Sequence, residues 1–365
     1  MHELKRTRQR RSESVLGCVI GGAIGDALGY QIEFEKMIKE KQVTRFENGH
    51  GIISDDTQMS MFTANALLNA KTKNKEKENS IDVLREIYFS YLTWNETQSS
   101  EYQGFLGEGF VRHPKSDETG FWISDIHALY KRRAPGVTCR SALSSGKMGT
   151  IEHRINDSKG CGTIMRVAPI GLMENYAYAA GELATKASAI THGHDLALIP
   201  SFLLSAMIFC LSYEFDLKSA FSGAMACLEQ YQMTTNYFEQ RNIEYVKKMC
   251  NKAIGLSKLN FTDQQAIEKL GEGWVAEETF AIALYSCFKH QDSFEDAVVC
   301  AVNHDGDSDS TGAVAGNIMG AFLGINKIPE YYIQNVEMSK EILDLANDMT
   351  FDFSQPLNDR MKAYY

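Results

Sequence analysis

Two short acidic clusters carry the densest potential chemistry in the chain: Ser54, Asp55, Asp56 and Thr57, and then Asp307, Ser308, Asp309, Ser310 and Thr311. Each sits just ahead of a helical run, where one Ser, Thr or Asp would serve as an ordinary cap. A cap needs only one such residue, so two carboxylates plus hydroxyls at both places call for more. Neighbouring carboxylates repel unless positive charge lies between them, and an all-oxygen set is suited to a hard cation such as Mg²⁺, Mn²⁺ or Ca²⁺. The series Asp307, Asp309, Thr311, Gly312 also matches the start of a calcium-binding helix-loop-helix. That motif needs a glutamate at its twelfth position, which is Ile318, so it is excluded. Four carboxylates in two distant clusters predict a two-ion site if the fold brings the clusters together.

The elements that must do this are helices. Apolar residues recur at helical spacing over 14–31, 57–70, 81–94, 176–191, 196–213, 216–231, 238–256, 277–290, 293–303 and 311–324, and few segments alternate with period two. The expected fold class is all-α, in one domain over residues 14–365 preceded by a basic extension, 1–13. Six prolines in 365 residues permit long helices. The charged stretch 71–80 is expected to be a connector, and 99–160 to hold loops around short helices. Gly17, Gly21, Gly25 and Gly29 recur every four residues, as do Gly312, Gly316, Gly320 and Gly324. On a helix each set forms a face without side chains, which predicts close helix packing. No strand precedes the first set, which excludes a dinucleotide-binding turn.

The net charge of −10 divides into +4 on residues 1–11 and −14 on the rest. An acidic body argues against nucleic acid and against an anionic membrane surface. No run of about 18 apolar residues is expected to span a bilayer. Eight scattered cysteines without a CxxC pair read as reduced thiols, and the expected location is the cytoplasm.

Seven motifs then follow in order: GCVIGGAIGDALGYQIEF (17–34), SDDTQMS (54–60), RAPGVTCRSAL (133–143), GCGTIMRVAPIGL (160–172), ATKASAITH (184–192), GEGWVAEETFAIALY (271–285) and DGDSDSTGAVAGNIMGA (305–321). This series resembles the ADP-ribosylglycohydrolase family, which includes dinitrogenase reductase-activating glycohydrolase and the ADP-ribosylarginine hydrolases. The resemblance implies a compact all-α fold with a binuclear Mg²⁺ or Mn²⁺ centre in a cleft for ADP-ribose.

By position, the resemblance implies Ser54, Asp55, Asp56, Asp307, Asp309 and Ser310 as metal ligands, and Glu33 beside the reacting ribose as the residue that orients or activates water. Catalysis would rest on Glu33, Asp56 and Asp309. Gly160, Cys161, Gly162, Thr163 and Met165 would meet the phosphates and distal ribose, His192 would face the ligand, and Trp274 would stack on adenine. A glycine-rich loop entering a helical run also suits backbone amides presented to a pyrophosphate. Asp26, among the glycines, is expected to tie down nearby backbone. The implied activity is metal-dependent removal of ADP-ribose from protein side chains, foremost the N-glycosidic bond to arginine. A second reading takes the Arg-rich extension 1–13 as a surface for an ADP-ribosyltransferase toxin, making the protein an immunity or inhibitor partner.

Overall fold

The computed structural model describes residues 2–34, 42–76, 81–99, 123 and 126–364. Sixteen helices are found among them: α1 (His2–Tyr30), α2 (Asp55–Glu76), α3 (Val83–Thr97), α4 (Val137–Ser144), α5 (Ala168–Met173), α6 (Ala177–Ala189), α7 (Asp195–Ser212), α8 (Leu217–Thr235), α9 (Gln240–Leu256), α10 (Asp263–Ile267), α11 (Ala276–Lys289), α12 (Phe294–Val302), α13 (Ser308–Leu323), α14 (Glu330–Asn335), α15 (Ser339–Asp348) and α16 (Asp359–Lys362). The described residues contain no strand, only two isolated bridges, Gly51 with Val336 and Gly160 with Val275. The expected all-α, single-domain class is what the structure has.

The two glycine ladders face each other. A Cβ on Gly21 would lie 2.5 Å from the Gly316 carbonyl oxygen, and Gly17 meets Gly320, Gly25 meets Gly312 and Gly29 meets Ser308 in the same way. The helices α1 and α13 therefore run antiparallel with backbone against backbone. Each helical glycine costs up to about 1 kcal/mol relative to alanine, and here the return is an approach that a methyl group would prevent. Asn317 fastens the pair by donating from Nδ2 to the Cys18 carbonyl at 2.9 Å. Gly324 departs from its ladder: it caps α13 with φ of 79°, a left-handed conformation that glycine adopts without strain. The antiparallel pairing brings the C-terminal end of α1, with Glu33 just beyond it, to the N-terminus of α13, where Asp307 and Asp309 lie.

The central helix is α7, packed against α5, α6, α8, α11 and α13. It corrects one expectation, because its 18 residues are long and apolar enough to cross a bilayer. The few polar positions among them do not offset the Leu, Ile and Phe content. Since 94% of the segment is buried within the protein, it reads as a core helix, apolar on every face. The connector expected from residue 71 also starts later. Helix α2 continues to Glu76 because Lys73, although charged, turns inward and pairs with Glu86 of α3 at 3.2 Å.

Residues 2–13, expected as an extension, continue α1 without a break. Arg8 pairs with Asp352 at 3.1 Å, Arg10 donates to the Phe322 carbonyl, and Arg11 donates to the Leu172 carbonyl while lying over the Tyr213 ring. The side chains of Lys5 and Arg6 and most of 99–125 lie outside the described residues.

Candidate active site

Three helix ends and one loop build the site. Asp26, fully buried in α1, caps α2 from outside that helix: its carboxylate accepts from the Ser54 amide at 3.0 Å, from the Thr57 amide at 3.1 Å and from the Thr57 hydroxyl. A carboxylate is favoured at this positive end of a helix. The expectation that Asp26 ties down backbone is thus met, and the backbone it fixes carries the first acidic cluster. Within that cluster the Ser54 hydroxyl accepts from the Asp56 amide at 3.2 Å. Asp55 accepts from the Gly136 amide at 3.2 Å, and its own amide donates to the Arg133 carbonyl at 3.1 Å. The RAPG stretch is therefore a brace for Asp55.

At the start of α13, Asp307 accepts from the Ser310 amide at 3.4 Å and Asp309 accepts from the same amide at 2.8 Å. Carboxylate oxygens of Glu33, Asp307 and Asp309 lie within 4.8 Å of one another, all three residues buried. Burial, and after it the charge of Asp309, pushes the carboxyl of Glu33 up to about 9 and that of Asp26 to about 7. The same two causes push Asp55, Asp56 and Asp307 well above the usual carboxylate range. Both acidic clusters thus feel Asp309, and the fold has brought them to one place.

A carboxylate set of this kind suits hard divalent cations. Glu33 Oε2 and Asp56 Oδ2 are buried without a hydrogen-bond partner, and a buried acceptor left unmatched costs about 1–3 kcal/mol. Oxygen donors, orphaned carboxylate oxygens and mutual repulsion are the chemistry that Mg²⁺ or Mn²⁺ relieves.

The loop around Gly160 forms the next wall. The Cys161 amide donates to the Trp274 carbonyl at 3.3 Å, and the Cys161 thiol donates to Asp307 Oδ2 at 2.6 Å. Gly160 and Cys161 are half-buried, whereas Gly162, Thr163 and Met165 are buried behind them. The Thr163 hydroxyl donates to the Ala197 carbonyl at 3.1 Å, which fastens the loop to α7. At the outer edge, Trp274 is 41% exposed and stacks on Phe34, which is 74% exposed, with centroids 6.3 Å apart.

A family profile described as ADP-ribosylglycohydrolase matches residues 7–358. The chain belongs to the ADP-ribosylglycohydrolase family. Membership makes it a hydrolase that releases ADP-ribose. Relatives include the ADP-ribosylarginine hydrolase Tri1 of Pseudomonas putida, 23% identical over 94% of this chain and 79% of that protein. The ADP-ribosyl-[dinitrogen reductase] glycohydrolase of Rhodospirillum rubrum is 24% identical over 90% and 92%, and human ADP-ribosylhydrolase ARH3 is 22% identical over 91% and 92%. A solved ADP-ribosylglycohydrolase-related protein complex shares the fold, with a TM-score of 0.60 and 21% identity over 94% of this chain and 98% of that one.

Within this family site, His192, expected to face the ligand, adjoins the Gly160 loop. It is 1% exposed and packs beneath the loop, where a Cβ on Gly162 would come 3.2 Å from its Cε1. Burial and the charge of Arg166 hold it neutral, pulled down to about 3. Its place is that of a support for the loop. Two residues that sequence reasoning passed over also join the site. Arg166 is fully buried with no carboxylate against it among the described residues; it donates to the Thr191 hydroxyl at 2.7 Å and lies 4.3 Å over the Tyr91 ring. Its charge stands behind the loop. The signal was a lone arginine inside the apolar run TIMRVAPIG. Phe34 directly follows Glu33, and its exposure is set by the chain leaving α1.

Proposed function

We propose that the protein hydrolyses the N-glycosidic bond between ADP-ribose and arginine in modified proteins, in a metal-dependent reaction in the cytoplasm. The observation that carries this reading is Glu33 set against Asp307 and Asp309 with a carboxylate oxygen free of any partner. Ser54, Asp55, Asp56, Asp307, Asp309 and Ser310 would hold two divalent cations, with Glu33 alongside. Bound there, such cations supply charge for the ribose hydroxyls and lower the pKa of a nearby water.

The chain's own residues do the rest. Glu33, ionised once the charge of bound cations offsets that of Asp309, would orient the attacking water towards C1 and take its proton. As the C1–N bond breaks through an oxocarbenium-like state, the electron pair leaves with the guanidine, a strong base that is protonated at once. The amides around Gly160 and Cys161, with the Arg166 charge behind them, meet the pyrophosphate. The exposed Phe34–Trp274 stack offers a face for adenine. Arginine is favoured over a hydroxyl linkage because carboxylates around Glu33 attract a cationic leaving group, and because two of the relatives above are by name an arginine hydrolase and a dinitrogen reductase glycohydrolase. The alternative in which residues 1–13 reach a toxin finds less support, since the arginines described there are engaged on the body.

The test is to incubate the purified protein with arginine-, serine- and glutamate-linked ADP-ribosyl substrates, with Mg²⁺ or Mn²⁺ and with chelator. Release of ADP-ribose from the arginine linkage in the presence of metal is expected. Release from the serine linkage alone would refute the arginine assignment, and full turnover in thorough chelator would refute the metal requirement.

A further inference from the structure

Away from the acidic cleft, a second cluster gathers donors of a different kind. Asp263 opens α10, His290 follows the last residue of α11, and Cys300 lies in α12. Their donor atoms lie within 4.8 Å of one another. His290 Nε2 is 2.9 Å from Asp263 Oδ2, the Cys300 sulfur lies within 4.8 Å of both donor atoms, and the Tyr285 hydroxyl donates to Asp263 Oδ1 at 2.8 Å. The three face a cavity of about 180 Å³ that Gln264 and Asp296 also line.

A nucleophilic triad does not account for this arrangement. In such a triad the imidazole hydrogen-bonds the thiol, whereas here His290 Nε2 is engaged with the Asp263 carboxylate. A plain ion pair accounts for His290 and Asp263 but not for the convergence of thiol and tyrosine on one carboxylate beside an open cavity. Sulfur, imidazole nitrogen and carboxylate oxygen are together the donor set of Zn²⁺, and they contrast with the all-oxygen set of the cleft. Tetrahedral ligands about 2.0–2.1 Å from zinc stand about 3.3 Å apart, so the His290–Asp263 contact has to open by only about 0.4 Å.

We propose that Asp263, His290 and Cys300 bind one Zn²⁺, with the fourth position open to the cavity and Tyr285 orienting Asp263. Binding replaces the thiol proton, which leaves to solvent, and the imidazole enters neutral. The ion ties α10, the end of α11 and α12 together, and α12 leads through residues 303–306 into Asp307. The site thus stiffens the segment that presents the second acidic cluster.

The experiment uses the full chain in excess Mg²⁺, titrated with Co²⁺ as the spectroscopic probe. One equivalent of Co²⁺ should give a near-ultraviolet thiolate charge-transfer band, and Zn²⁺ should abolish it. Cys300→Ala should remove the band, and Cys161→Ala should retain it; the latter is the necessary control because Cys161 lies 2.6 Å from Asp307 Oδ2. Tyr285→Phe should weaken Co²⁺ binding about tenfold or more. Absence of the band, its survival in Cys300→Ala or its loss in Cys161→Ala overturns the proposal. Should Cys300→Ala not fold by circular dichroism, His290→Gln takes its place, and an unchanged Co²⁺ affinity there overturns it equally.

Discussion

Replacing Gly21 by alanine perturbs the active site from a distance. The new Cβ would stand 2.5 Å from the Gly316 carbonyl oxygen and 3.0 Å from Phe294 Cε2. Ordinary van der Waals contact begins near 3.4 Å, so the backbones of α1 and α13 have to separate by about 0.9 Å in an interior packed without slack. Overpacking of this kind costs about 1–3 kcal/mol, and the better helix propensity of alanine returns up to about 1 kcal/mol. A net loss of about 1–2 kcal/mol is expected because carbonyl oxygens, unlike side chains, have no rotamer to escape into. The same separation, transmitted along the ladder to Gly29 and Ser308, moves Glu33 away from Asp309. A misplacement near 1 Å costs up to about 100-fold in rate. Chemical denaturation reads the first effect and ADP-ribose release reads the second. Gly255→Ala is the internal control: it lies in α9 with nothing within 4 Å of the added Cβ, and should stabilise by up to about 1 kcal/mol. If Gly21→Ala matched the unmutated protein in both stability and rate, the close-approach account of the ladders would be wrong.

Chelation, Asp56→Ala and Asp309→Ala should each abolish release of ADP-ribose while circular dichroism stays helical; retained turnover in either variant would remove that residue from the centre. In chelator, Asp26 and Glu33 bind protons in the folded state that they have lost in the unfolded one, since burial and Asp309 raise them to about 7 and about 9 from ordinary values of 3.8 and 4.5. Stability should therefore fall as pH rises from about 4 towards 9, and Mg²⁺ should flatten the decline; a flat melting profile in chelator contradicts the assignment. Phe34→Ala should weaken ADP-ribose binding about tenfold, the worth of one aromatic stack, as read by calorimetry. Arg166→Met should weaken ADP-ribose binding about tenfold through the lost charge behind the loop, and unchanged affinity would leave Arg166 a packing residue only.

Much of the architecture was legible because helical spacing is a local property: α6, α7, α9, α11 and α12 lie within a few residues of where their apolar residues put them. The acidic clusters were legible for the same reason, as short runs with an unusual charge density. What escaped was set by contacts across the chain. That Asp26 ties down the start of α2 in particular was hidden because its partners, Ser54 and Thr57, lie far along the chain. The stretch after residue 70 looked like a connector because Lys73 reads as solvent-facing until Glu86 is placed against it. The short helices α5, α14 and α16 are too brief for a period to register.

Pairing α1 with α13 has a consequence for biosynthesis. Glu33 leaves the ribosome 274 residues ahead of Asp307. The glycine face of α1 must therefore wait, apolar and unmatched, while the intervening helices fold, and such long-range closure is intrinsically slow. A nascent or truncated chain ending before α13 has no assembled cleft, so hydrolysis waits on the docking of α13 against α1. Catalytic turnover during synthesis would report, in real time, the moment at which α13 docks on α1.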